Sequence, residues 1–208
     1  MNKPKIAYLV AVAIVIAGTF STSFGTTAET EYKRLKALAA RLEKIPPDKQ
    51  DREPHKSFIR LNKKDIVYSE PAGQWFVRAE RFWNLAKRNR TLRIADDIAW
   101  TAALTPLPGE CEGDMNCGLS YTTQTVGEYL RLFPAGRHKG AALTDLIGTV
   151  SSMTAADATT GYMVPTEASE KSELQKSVAG LKRTLAKVSG RDKDKAVAEL
   201  TKLAQMYK

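Results

Sequence analysis

Cys111 and Cys117 are the only two cysteines of the 208-residue chain, and five residues separate them in a stretch rich in proline, glycine and acidic residues. Structural zinc and c-type haem sites use a two-residue spacing between cysteines, which this pair lacks. A catalytic thiol needs a nearby base, and neither histidine, His55 or His138, is tied to this stretch by sequence. In an oxidising compartment such a pair favours a disulfide across a turn, so we predict a disulfide and no cofactor.

The same stretch has oxygen-bearing side chains that could bind a cation. They alternate along the chain, at Glu110, Glu112, Asp114 and Asn116. A calcium loop counted from Glu112 would have Cys117 where glycine is needed and Thr123 where the last glutamate is needed. We therefore predict no metal site, and expect the acids to point outward as a recognition surface.

Three other carboxylates could provide acid and base for glycan cleavage. Glu80 and the Asp96-Asp97 pair lie in amphipathic segments, where carboxylates are usually solvated, and nothing in the sequence determines the separation that glycosidases need. We expect a protein without catalytic activity; a cell-envelope hydrolase of glycan or peptide is the alternative.

Two further residues complete the predicted interaction surface. Trp75 lies near a turn at Pro71–Gly73 and is the tryptophan most expected to be exposed. His138 could either finish a helix junction or contact a ligand. We add both to Glu110, Glu112 and Asp114 as candidate contact residues.

The net charge of +9 is concentrated at the two ends of the chain, and the middle is slightly acidic. Nucleic-acid-binding modules usually gather basic residues on one face with aromatic residues between them, a pattern that neither end shows. The distribution of charge therefore argues against nucleic acid as a binding partner. Electrostatic binding of anionic lipid or polymer is a second alternative, with membrane contact at most peripheral.

The N-terminus has the order of a secretory signal. Lys3 and Lys5 precede an uncharged apolar run over 6–20, and small residues follow. Fifteen helical residues reach about 22 Å, less than the roughly 30 Å of a bilayer core. We expect cleavage after Gly25 or Ala28 and a periplasmic or secreted protein, although retention as an anchor stays open.

Helical periodicity dominates the rest of the chain. It predicts a mostly α fold of amphipathic helix hairpins, with a small β-hairpin near 57–69 and a helix running through 73–90. The predicted segments are a signal (1–28), an N-terminal helix and charged linker (29–64), a central helical domain with the disulfide loop (65–152), a linker (153–166) and a C-terminal helical hairpin (167–208).

The C-terminal hairpin carries leucines at spacings of three and four, with Thr166 as the expected cap of its first helix. Two helices alone would leave one side of these leucines in water. The hairpin must therefore pack on the central segment, on a partner or on a second copy.

One helix junction resembles a known family. In the stretch 127–143 the matching residues are Tyr129, Leu130, Phe133, Pro134, Gly136, Ala142 and Leu143. They resemble the junction of a tetratricopeptide-like helical repeat of bacterial envelope proteins, in which Pro134 would stop a helix, Gly136 would turn the chain and Ala142 would let the next helix approach. The resemblance implies a protein-binding scaffold whose partner is another envelope protein.

Overall fold

The computed structural model describes residues 20–155 and 161–208, with side chains from residue 27 onward. The predicted signal lies outside the described residues up to position 19, as does the part of the predicted linker at 156–160. The first described helix runs through both predicted cleavage positions.

The fold is mostly helical, as predicted. The α-helices are α1 (Phe20–Glu43), α2 (His55–Asn62), α3 (Ala79–Arg88), α4 (Ile94–Leu104), α5 (Met115–Thr122), α6 (Glu128–Leu132), α7 (Lys139–Thr154), α8 (Ala168–Leu185) and α9 (Arg191–Met206). A 3-10 turn at Pro47–Lys49 follows α1, and a π turn at Thr123–Gly127 joins α5 to α6. None of the helices in the described ranges is long and apolar enough to cross a membrane.

The β-hairpin exists, but later in the chain than predicted. Strands β1 (Ile66–Ser69) and β2 (Gln74–Val77) pair antiparallel, whereas Phe58–Leu61 belongs to α2. The chain turns at Gly73, which has a positive φ of 58°, a conformation that costs glycine little. The hairpin thus overlaps the predicted range at Ile66–Ser69, but the partner strand follows this run instead of preceding it, because the chain turns at Gly73.

The residues before α3 correct a second prediction. The apolar periodicity of 73–90 predicted one helix, but Trp75 and Phe76 lie in β2, and α3 starts at Ala79. Both rings therefore belong to a hairpin that packs on α1.

A buried carboxylate connects the hairpin to the helices. The Asp65 side chain is 1% exposed and lies 2.9 Å from both Arg34 of α1 and Arg81 of α3. A buried carboxylate is tolerated when cations compensate its charge. This pairing, between residues far apart in sequence, had no sequence signal.

The disulfide stretch leads directly into α5. The helix begins at Met115, because the Asp114 carboxylate caps it by accepting a 2.6 Å hydrogen bond from the Cys117 amide.

The C-terminal hairpin packs on the central helices, with α8 against α5 and α9 against α7. Its leucine seam is buried, and its members join one continuous cluster with the cores of α1 and α3 to α7. The cap of α8 is Glu167, one residue later than predicted, because Glu167 and Glu170 form a reciprocal capping box.

The junction between α6 and α7 contains the residues of the tetratricopeptide-like resemblance. Helix α6 ends at Leu132, before Pro134, and α7 starts at Lys139. Ala142 and Leu143 are buried in the core. The family resemblance itself stays a prediction.

Candidate functional site

His138 lies at the α6–α7 junction and contacts α4. Its Nε2 atom is 2.9 Å from Oδ1 of Asp97, and its ring is stacked on Trp100 with the centroids 5.3 Å apart. Forty-one positions separate His138 from Asp97, and no local pattern links them. The contact depends on the packing of α4 against the π turn and α6, which precede His138 in the chain.

The neighbouring carboxylate, Asp96, is also fully engaged in hydrogen bonds within the protein. Its oxygens accept hydrogen bonds from the Tyr129 hydroxyl at 2.5 Å and from the Arg137 amide at 2.7 Å. The Tyr129 hydroxyl in turn accepts from the His138 amide at 3.0 Å. Burial, followed by the hydrogen bond to Asp96, raises the pKa of Tyr129 above its ordinary value of 10.0, so the phenol stays protonated as a donor.

The second carboxylate, Asp97, carries a stabilising charge. Burial acts to raise its pKa, but the hydrogen bonds and charges of His138 and Arg137 outweigh burial and hold the pKa below the ordinary value of 3.8. Because folding lowers the pKa of Asp97, its charge stabilises the folded protein at pH values above the unfolded-state pKa. This stabilisation is lost as the pH falls through the folded-state pKa. Asp96 and Asp97 thus hold α4 against the helix junction.

In the disulfide stretch, Asp114 and Asn116 have structural roles. A disulfide joins Cys111 and Cys117, whose Cα atoms are 5.4 Å apart. Asp114 caps α5, and the Asn116 amide donates to the Glu170 carbonyl at 3.1 Å. Within 20–155 and 161–208, His, Cys, Asp and Glu side chains form no group suited to a metal ion.

The two remaining acids, Glu110 and Glu112, are exposed and line a groove of about 670 Å³. We call this the acidic groove; it is lined by Tyr68, Glu70, Pro71, Gly109, Glu110 and Glu112. Glu70 was not predicted, because only the hairpin turn brings it to the disulfide stretch.

An apolar groove of about 490 Å³ lies between α1, β2 and the end of α4. Its larger apolar lining residues are Trp75, Phe76, Val77, Phe82 and Leu104. Leu104 is 60% exposed. Trp75 was predicted as a contact residue from the sequence, whereas Leu104 was not. Leu104 ends an otherwise buried alanine-rich face, so its sequence context gave no sign of exposure.

The two grooves meet at one aromatic pair. Tyr68 of the acidic groove and Trp75 of the apolar groove are directly opposite across the strands, with ring centroids 5.3 Å apart. The loop after α4 also contributes to both grooves, through Pro106 and Gly109. The grooves therefore form one surface with an apolar half and an acidic half.

The predicted contact residues thus separate into two groups. Trp75, Glu110 and Glu112 lie on this surface, whereas Asp114 is used in a helix cap and His138 in the contact with Asp97. The chain matches no protein-family model, no curated protein and no solved structure.

Proposed function

We propose that this is an exported, non-catalytic protein-binding module that holds an apolar side chain of another envelope protein in its apolar groove. The observation that carries the proposal is Leu104, which is 60% exposed at the edge of a groove lined by Trp75 and Phe76. The signal-like order of the first residues supports export.

The energetics favour an anchor at this position. Burying a leucine side chain contributes roughly 1.5–3 kcal/mol, and interface energy is concentrated in a few apolar and aromatic residues around a pocket. Leu104, Trp75 and Phe76 provide such residues, and the backbone that carries them is held by the hairpin and α4. The groove is thus preformed for an apolar side chain.

The contacts of Asp96 and Asp97 support a structural role for this pair. Asp96 and Asp97 would be the acids of a hydrolase, but their oxygens already accept hydrogen bonds from Tyr129, Arg137 and His138. These contacts tie α4 to the α6–α7 junction and so support the shape of the neighbouring binding surface.

Capture of partners from the native envelope tests the proposal. The tagged full chain, expressed with its own N-terminus, would be compared with Leu104→Glu, and we expect the charged side chain in the groove to reduce recovery of a specific partner at least about tenfold. The matched control is Leu61→Glu, because Leu61 is 77% exposed on α2 and lines neither groove.

The interpretation depends on the difference between the two variants. Circular dichroism must first show that both fold like the parent. Equal recovery with the parent, Leu104→Glu and Leu61→Glu would contradict binding through the apolar groove, as would equal loss with both variants.

A further inference from the structure

We infer that the segment bound in the apolar groove carries lysine or arginine side chains beside its apolar anchor, and that Glu70, Glu110 and Glu112 bind them. This inference rests on the proposed function and names the chemistry of the partner.

Among the described residues, no lysine or arginine nitrogen lies within ion-pair distance of the three carboxylates. Glu70, Glu110 and Glu112 are all exposed, and in the described part of the chain none of them forms an ion pair. Other carboxylates on this fold do pair: Glu31 lies 2.7 Å from Arg34, and Glu128 lies 2.5 Å from Arg131. The acidic groove therefore brings together three exposed carboxylates that form no ion pair within the described ranges.

The backbone that carries these carboxylates is constrained on both sides. The disulfide between Cys111 and Cys117 closes the loop that holds Glu112, and Glu110 directly precedes Cys111. On the other side, the Gly73 carbonyl at the hairpin turn accepts a 2.7 Å hydrogen bond from the Gln50 side chain. A preorganised groove loses less conformational entropy when a ligand binds. Like charges held near one another also repel, and a cationic side chain between them removes that repulsion.

The distribution of charge along the chain makes the acidic groove selective. The net charge of +9 lies at the two ends of the chain, which repel a basic segment, whereas the acidic groove attracts it. Electrostatic complementarity of this kind sets the orientation of a partner and excludes wrong ones. Because Tyr68 and Trp75 join the two grooves, one segment can place its apolar anchor in one groove and its basic residues in the other.

Two fluorescent peptides of about twelve residues test the inference with the full chain. Both contain a Leu-Trp-Leu block; one has Lys and Arg on both sides of the block, and the other has Glu at the same positions. By fluorescence anisotropy at low salt, we expect the basic peptide to bind at least about tenfold more tightly than the acidic one. Raising the salt concentration should reduce this preference.

Charge-neutral variants locate the effect. Glu110→Gln combined with Glu112→Gln should bring the two affinities to within about twofold, because the amide keeps the shape but removes the charge. Glu173→Gln is the matched control, since Glu173 is exposed on α8 and lines neither groove. It should leave the preference unchanged.

The outcomes separate this inference from the proposed function. If Leu104→Glu abolishes binding of both peptides but the parent binds them equally, the charge inference is wrong and the apolar groove stands. If binding is unaffected by Leu104→Glu, the proposed function is wrong. No binding of the basic peptide up to about 1 mM, or self-association of the chain through these carboxylates, would overturn the inference.

Discussion

Gly136 lies in the turn between α6 and α7 and also serves tertiary packing. The tetratricopeptide-like resemblance assigned it to the turn between two helices, but its φ is not among the positive values of this chain. A Cβ atom at this position would lie 2.3 Å from the Tyr129 hydroxyl oxygen and 2.8 Å from Oδ1 of Asp96. The absence of a side chain lets the junction approach α4.

We predict that Gly136→Ala lowers the free energy of unfolding by about 1–3 kcal/mol, the usual cost of overpacking. Gly140→Ala is the control, because a Cβ there meets nothing within 4 Å and alanine favours the helix. Urea unfolding followed by circular dichroism measures both. Equal stability of the two variants would show that the Tyr129–Asp96 contact does not require this glycine.

At the scale of elements, α5 depends on chemistry at its first turn. The helix is eight residues long and contains Gly118, so its intrinsic tendency to form is low. Asp114 caps its first turn, and the disulfide ties Cys117 of that turn to the preceding loop. These two local constraints, together with packing of α5 on α8, keep the helix in place.

Removing the disulfide by Cys111→Ser and Cys117→Ser should lower the free energy of unfolding by about 2 kcal/mol, because the unfolded chain gains the entropy of an open loop. The measurement is urea unfolding of the oxidised parent and of the double variant. The oxidised parent, once treated with a reductant, should match the double variant. A parent whose stability does not respond to reductant would contradict the prediction.

At the scale of the molecule, the buried residues of the C-terminal hairpin and those of the N-terminal half form one cluster. Leu200 of α9 is fully buried, and α9 packs along α7, which itself contacts α5 and α6. The chain's tryptophans, Trp75, Trp83 and Trp100, lie far from α9 in sequence. A shared core makes them report on the same unfolding transition as the hairpin.

We therefore predict that Leu200→Ala lowers the free energy of unfolding by about 2–5 kcal/mol and shifts tryptophan fluorescence and far-ultraviolet circular dichroism together. Leu61→Ala, at a leucine that is 77% exposed, should change the free energy by less than about 0.5 kcal/mol. If Leu200→Ala shifts only the circular dichroism signal, the hairpin unfolds independently and the two segments are separate domains.

Local patterns predicted the mostly helical fold correctly. Leu35, Leu38 and Leu42 of α1 are buried, as are Leu174 and Leu181 of α8, because a stripe at helical spacing needs only its own segment to be recognised. The hairpin was placed too early and residues 74–77 were assigned to a helix, because short apolar runs fit either period. In the hairpin, the turn at Gly73 and the packing of β2 on α1 determine that residues 74–77 form a strand.

The candidate site was predicted only in part, for a related reason. The sequence alone indicates candidate contact residues: acids in and beside a loop that a cysteine pair closes, and a tryptophan beside a turn. Their grouping depends on contacts between distant segments, which bring Glu70 to Glu110, Leu104 to Trp75, and His138 away from that surface to Asp97. Local chemistry follows from neighbours in the chain, whereas a binding surface follows from how a continuous core folds the chain back on itself.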